Sequence, residues 1–293
     1  MNHLTEKEHI MPDLSNYNTL RSVLERNGFN LKKSLGQNFL IDPTVCPAMA
    51  DEACADADGI IEIGPGAGVL TAELAKRAKK VVAVEIDKKL EPVLKETLEP
   101  YGNAEVVFGD IMKIDLAALI EEKFKGMDVA VCANLPYYIT SPIIMSLLER
   151  QKGLKSITVM VQKEAAERLC AEMGTRECGA VTAAVRYYCA PRVLFGVDRT
   201  SFMPPPKVDS AVIKLDITDH PTVDVDRDAF FKVIKAAFSM RRKTLANCLS
   251  AGLKLDKAAV YELLDSCSVN RDARGEQLTM EQFAELAKAI IKE

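Results

Sequence analysis

Gly59-Ile60-Ile61-Glu62-Ile63-Gly64-Pro65-Gly66-Ala67-Gly68 is the stretch on which the reading of the fold turns. A short apolar run of strand character enters a glycine-rich turn, and from Val69 to Ala78 apolar residues recur at helical spacing. Outward from it the alternation repeats. Val81 to Ile86 is a β-branched run, Lys88 to Leu98 is helical and Ala104 to Phe108 strand-like. Asp128 to Ala133 is again apolar, a turn and a helix follow after Thr140, and Ser156 to Val161 reads as a fifth strand. Short apolar runs between helices are the mark of parallel strands buried on both faces. The expected class is α/β, a doubly wound Rossmann-like domain.

On the N-terminal side, Leu14 to Asn27 has amphipathic helical spacing and should stop near Gly28. On the C-terminal side, Val193 to Val197 and Ser210 to Ile217 are expected as antiparallel edge strands, with Pro204-Pro205-Pro206 in their connection. Beyond Thr218 the pattern becomes helical at Asp228 to Phe238, Lys243 to Ser250, Asp256 to Asp265 and Thr279 to Ile291. The expected organisation is a tail and helix over 1–30, the Rossmann-like domain over 31–217 and a small all-α domain over 218–293.

Composition excludes several classes. With 48% hydrophobic and 27% charged residues in 293, the chain is neither collagen-like nor mostly disordered. No apolar run approaches the roughly 18 residues that suggest a membrane span. The first 18 residues are polar and carry Glu6, Glu8 and Asp13, unlike a signal peptide. The eight cysteines form no C-x-x-C pair, which favours buried thiols in a reducing cytoplasm over disulfides or zinc. His3 and His9 sit in the tail, so no histidine base or metal cluster is expected. A net charge of −4 is not that of a dedicated nucleic-acid binder, yet a local basic face can coexist with it. Lys32-Lys33 and Arg241-Arg242-Lys243 are the candidates for such a face.

The chemistry is concentrated at strand ends. Gly64, Gly66 and Gly68 follow G-x-G-x-G spacing, which lets backbone turn tightly against a ligand at a helix N-terminus. Glu85 closes the next strand, about 20 residues on, where a carboxylate can accept both hydroxyls of a ribose. Asp110 follows the third strand, where it can accept from the exocyclic amine of adenine. Together they describe a nucleoside pocket without distinguishing a nicotinamide cofactor from S-adenosyl-L-methionine, beyond the glycine spacing.

The fourth motif, Asn134-Leu135-Pro136-Tyr137, resembles the N-[LP]-P-[YF] motif of methyltransferases that modify exocyclic amines of nucleobases. The lone pair of adenine N6 is delocalised into the ring, so the amine is a poor nucleophile. The Asn134 amide oxygen and the Leu135 carbonyl can both accept from it and make it more tetrahedral. Pro136 stiffens the turn, and Tyr137 offers a ring on which a base can stack.

The resemblance then becomes specific. Lys33-Ser34-Leu35-Gly36-Gln37-Asn38-Phe39-Leu40-Ile41-Asp42, Phe202-Met203-Pro204-Pro205-Pro206-Lys207-Val208-Asp209-Ser210-Ala211-Val212 and Ala237-Phe238-Ser239-Met240-Arg241-Arg242-Lys243-Thr244-Leu245 occur in that order. They resemble segments of the small-subunit (16S) ribosomal RNA adenine N6,N6-dimethyltransferases, the KsgA/RsmA family, over roughly Leu31 to Leu249. The resemblance implies S-adenosyl-L-methionine as methyl donor, held by Asn38, Leu40, Gly64, Gly66, Glu85, Asp110 and Asn134. It implies a target adenine at Asn134, Leu135, Pro136 and Tyr137, with Phe202 on its other face. Lys33, Lys207, Arg241 and Arg242 would meet RNA phosphate. The implied substrate is two adjacent adenosines near the 3′ end of small-subunit rRNA, in a pre-ribosomal 30S particle in the cytoplasm, with no metal and no membrane. The rival readings are a resistance-type enzyme acting on large-subunit rRNA, a DNA adenine methyltransferase, a non-catalytic assembly or transcription factor and a nicotinamide-dependent oxidoreductase. Leu135 disfavours the DNA enzyme, in which proline is usual there. The glycine spacing disfavours the oxidoreductase.

Overall fold

The computed structural model describes residues 13–29, 39–150, 152–240 and 242–291. In chain order the elements begin with α1 (Tyr17–Arg26), β1 (Phe39–Leu40), α2 (Val45–Cys54), β2 (Gly59–Ile63), α3 (Val69–Ala75) and β3 (Lys80–Glu85). Next come α4 (Glu91–Leu98), β4 (Ala104–Phe108), α5 (Leu116–Lys123), β5 (Val129–Asn134), α6 (Thr140–Glu149) and β6 (Leu154–Gln162). They are followed by α7 (Lys163–Cys170), α8 (Ala180–Tyr188), β7 (Cys189–Val197), β8 (Phe202–Met203) and β9 (Ser210–Ile217). Helices α9 (Arg227–Ala237), α10 (Leu245–Leu253), α11 (Lys257–Ser266) and α12 (Met280–Ile291) complete the described chain.

Local chemistry sets many of these boundaries. Asn16 caps α1 by accepting from the N–H groups of Asn18 and Thr19, and the chain leaves the helix through Gly28 at φ +70°. Asp115, Asp226 and Asp256 cap α5, α9 and α11 in the same way. The helix expected from Lys88 opens instead as one 3₁₀ turn, Lys88–Leu90, in which Asp87 accepts from the Lys89 N–H. Helix α4 starts only at Glu91, with Pro92 in its first turn, where the missing N–H costs nothing. The helix expected over Val69–Ala78 ends at Ala75.

One seven-stranded sheet has the order β4-β3-β2-β5-β6-β9-β7, and β1 pairs antiparallel with β8 in a separate two-stranded ribbon. β2 is parallel to both β3 and β5. All five residues of β2 are buried, as are five of the six in β5, which is why both read as apolar runs, broken in β2 only by Glu62. This is the doubly wound α/β architecture expected from the sequence. The chain builds outward through β2, β3 and β4 and then returns to β5 on the other side of β2. The order therefore reverses at β2, and ligands of such sheets bind in the crevice at the carboxyl ends of the strands on either side of that point.

Contacts divide the chain into two compact units. The first comprises the described residues up to Tyr138, together with Thr158–Met160 and Val197–Asp209. Its sheet carries α2 against α3, β2 and β5, and α3 against β3 and α4. A cluster formed by Leu20, Val23 and Leu24 of α1, Leu90, Val93, Leu94 and Leu98, together with Phe39 and Ala67, joins α1 to α4 and to the glycine loop. Arg26 of α1 pairs with Glu96 of α4 at the edge of this cluster. The second unit comprises Ile139–Ile157, Val161–Gly196 and the described residues from Ser210 onward. There α9 packs on α8, α10 and α12. Gly252 of α10 lies so close to α9 that an added Cβ would stand 2.6 Å from Ala236 Cβ, so only glycine permits that approach. The Tyr187 ring stacks on Phe230 of α9, with centroids 5.0 Å apart.

Candidate active site

Strand register alone brings the chemistry together. Ile63 pairs with Val84 on one side and with Ala133 on the other. The next residue of each strand is therefore Gly64, Glu85 and Asn134. Neighbouring strands lie about 4.8 Å apart, so Glu85 and Asn134 stand about 10 Å apart with the glycine turn between them. The Gly64 N–H donates to the Val84 carbonyl at 2.9 Å and anchors the turn to β3.

The turn needs its glycines. Gly64, Gly66 and Gly68 have φ of +69°, +59° and +86°, the left-handed region that side chains resist. Gly68 serves packing as well, because an added Cβ would stand 2.9 Å from Thr97 Oγ1. Among the described residues, nothing lies within 4 Å of that position at Gly64, and at Gly66 only Phe39 does, at 3.8 Å. These two leave open space on the cleft side of the loop.

Glu85 is the clamp of the turn. One carboxylate oxygen accepts from the Gly66 N–H at 3.3 Å and the other from the Asp87 N–H at 2.8 Å. The side chain is 4% exposed, and burial pushes its pKa above the usual carboxylate range, against the pull of those N–H groups.

Asn134, Leu135, Pro136 and Tyr137 leave the end of β5. The Leu135 N–H donates to the Met160 carbonyl of β6 at 3.2 Å, and its side chain is 1% exposed. The turn is thus fixed from below, while Asn134 and Tyr137 stay partly exposed. The ribbon supplies the facing wall. Leu40 of β1 pairs with Phe202 of β8, and Ile41 donates to the Ser201 carbonyl at 2.9 Å. Asp42 accepts from the Ser201 hydroxyl at 3.0 Å, which ties the two strands again.

One cleft gathers these elements. Its lining includes Leu40, Gly64, Gly66, Glu85, Asn134, Leu135, Pro136, Tyr137 and Phe202, all within the first unit. The cleft is partly open to solvent. Asp110 stands outside this lining. It lies just beyond Gly109, whose N–H donates to the Glu85 carbonyl, and its carboxylate accepts from the Met112 N–H at 3.0 Å. Lys207 and Arg242 are exposed, whereas Lys33, Asn38 and Arg241 lie outside the described residues.

Glu62, Ile86, Asp87 and Tyr138 are among the cleft residues that carry no role in the sequence reading. Glu62 had a signal, being the one charged residue in an otherwise apolar strand. It is 1% exposed, and its Oε2 has no hydrogen-bond partner among the described residues. Burial pushes its pKa up to about 8. Thr71 works the other way, although its hydroxyl completes no hydrogen bond of regular geometry. The sign of the pH effect follows. Between about pH 4.5 and 8 the unfolded chain has released this proton and the folded chain retains it, so stability falls as pH rises. Glu62→Gln removes that dependence. Urea unfolding without ligand is expected to show the variant gaining on the parent by about 1 kcal/mol per pH unit in that window. Parallel pH curves for the two proteins would refute it.

Among the described residues, no helix is long and apolar enough to cross a membrane, and no group of three or more His, Cys, Asp or Glu is placed to hold a metal.

The profile of the family described as ribosomal RNA adenine dimethylase matches residues 28–292. A ribosomal RNA small subunit methyltransferase A from Alkaliphilus oremlandii is 49% identical over 285 residues, covering 96% of this chain and 99% of the relative. The protein of the same name from a Geobacillus species is 46% identical, covering 95% and 98%. Among solved structures, a dimethyladenosine transferase from Plasmodium falciparum superposes with a TM-score of 0.71 at 29% identity, covering 87% of this chain and 98% of that one. The 23S rRNA methyltransferase ErmE superposes with a TM-score of 0.66 at 28% identity, covering 86% and 98%. With the match running from Gly28 almost to the C-terminus, the chain belongs to the ribosomal RNA adenine dimethylase family.

Proposed function

We propose that the protein transfers methyl groups from S-adenosyl-L-methionine to N6 of two adjacent adenosines near the 3′ end of small-subunit (16S) rRNA, giving N6,N6-dimethyladenosine in a pre-ribosomal 30S particle in the cytoplasm. The observation that carries this reading is the meeting of Glu85, the open glycine turn and Asn134-Leu135-Pro136-Tyr137 in one cleft at the switch point of the sheet.

The residues present fit the methyl donor. Glu62 lines the cleft with a buried, unpartnered acceptor, Gly64 and Gly66 present no Cβ, and Glu85 keeps lone pairs free beyond its two backbone bonds. Glu85 would accept from the ribose hydroxyls, and Asp110, on the neighbouring strand end, from the adenine amine. Leu40 would cover the donor from the ribbon, with Asn38 just ahead of it in sequence. When bound, S-adenosylmethionine supplies an activated methyl group, so the hard chemistry belongs to the cofactor.

The chain supplies alignment and polarisation. The Asn134 amide oxygen and the Leu135 carbonyl accept from the target amine and hold its lone pair out of conjugation. Tyr137 and Phe202 grip the faces of the base, which must leave its stack to reach the cleft. The proton shed by N6 passes to water. A second round requires that the pocket also accept N6-methyladenosine. Lys207, Arg242, Lys33 and Arg241 would hold RNA phosphates, with segment 218–293 serving as the RNA- and ribosome-binding domain.

The test is methyl transfer from labelled S-adenosylmethionine to under-methylated small subunits, free large-subunit rRNA and duplex DNA, followed by nucleoside mass spectrometry. N6,N6-dimethyladenosine confined to the small subunit is expected. Product in large-subunit rRNA instead would move the substrate to the ErmE type, and product in DNA would overturn the RNA reading.

A further inference from the structure

Among the large apolar side chains described as exposed, Tyr138 at 74% and Ile86 at 70% stand furthest into solvent, and both lie on the same cleft. Ile86 follows Glu85 and belongs to the donor's side. Tyr138 follows Tyr137 and stands on the side of the target base. It makes no hydrogen bond, ring contact or cation contact with any described residue, and it sits in the turn between β5 and α6. A phenol ring held out at the mouth of a ligand cleft leaves its apolar faces wet. Packing inside the protein therefore does not account for its placement.

The geometry points to Tyr138 as a stacking platform for the nucleotide next to the one held in the cleft. This rests on the reading of the site as a base-accepting methyltransferase pocket. A strand that threads one base into the cleft must continue across its rim, and the base beside the extruded one loses a stacking neighbour. An exposed aromatic at that rim replaces the lost face, and base–aromatic stacking needs no sequence-specific hydrogen bonds. Since the substrate carries two adjacent target adenosines, the same ring would hold the partner adenosine while the first is methylated.

The experiment compares Tyr138→Ala, Tyr138→Phe and Tyr138→Leu with the parent on under-methylated small subunits. Rates are measured against particle concentration, and cofactor affinity by calorimetry. Tyr138→Ala is expected to raise KM for the particle roughly thirtyfold, the middle of what loss of one stacked base costs. Its kcat and its affinity for S-adenosylmethionine should stay within about twofold of the parent. Tyr138→Phe keeps the ring face and should restore KM, whereas Tyr138→Leu keeps apolar bulk without that face and should behave like Tyr138→Ala. Rescue by leucine, or an unchanged KM in the alanine variant, would overturn the stacking role. The parent serves as the separate control: if it fails on small subunits and acts on large-subunit rRNA, the substrate assignment is at fault. The same three-variant comparison then runs on that RNA.

Discussion

Asn134→Ala is expected to lower kcat for methyl transfer by roughly 10²–10³-fold, the range seen when one preorganised polar group facing a developing charge is removed. The charge develops here as adenine N6 gives up conjugation and bonds to carbon. The amide oxygen is the one side-chain carbonyl that the Asn134-Leu135-Pro136-Tyr137 turn offers, and its position is inherited from rigid neighbours. Asn134 ends β5 beside Gly64, and the next residue is tied to the Met160 carbonyl at 3.2 Å. Truncation leaves that backbone in place, and with it the Leu135 carbonyl, so the loss should stop short of complete inactivity. Cofactor affinity should weaken by less than about tenfold, since Glu85 and the glycine turn are untouched. Calorimetry with S-adenosylmethionine and single-turnover transfer separate the two effects. Turnover at the parental rate would remove Asn134 from amine polarisation.

The sequence made this site legible because its residues end buried parallel strands. Strands β2, β4 and β9 appear with the bounds read from apolar runs, and β3 and β5 within a residue of them. In a parallel sheet, once strand ends are located, register places the residues that follow them side by side. The facing wall was legible only through family motifs. β1 and β8 are two residues each and lie more than 160 residues apart, too short to carry any periodicity. Helix α2 was missed because Pro47 falls in its first turn and its apolar residues are spread round it rather than along one face. Helices α5, α7 and α8 were also unmarked. The burial of Glu62 is not legible in the glycine motif, because a sequence does not show that a carboxylate is 1% exposed and, among the described residues, short of a hydrogen-bond partner. Tyr138 went unnoticed for the opposite reason, since only coordinates separate an exposed ring from its half-buried neighbour Tyr137.

Glu85→Ala is expected to act on binding rather than on chemistry. A hydrogen bond to a charged group contributes about 1.5–3 kcal/mol, so losing two ribose contacts should weaken S-adenosylmethionine binding by at least roughly 10²-fold. The loop adds to the loss. With the carboxylate gone, the Gly66 and Asp87 N–H groups lose their acceptor, and the glycine turn is no longer tied to the end of β3 in the left-handed shape that keeps it open. Glu85→Gln should fall between the two proteins, because its amide oxygen can satisfy one N–H while its NH2 opposes the other. Stability should change little in the alanine variant, since burial already works against the ionised carboxylate it removes. Calorimetric titration checks the affinity, and an unchanged value would take Glu85 off the ribose. The contrast with Asn134→Ala is the sharper test. Saturating cofactor should restore most of the Glu85→Ala rate and none of the Asn134→Ala rate if, as proposed, one residue holds the donor and the other prepares the acceptor. If saturation rescues both or neither, the division of labour between the two strand ends is wrong.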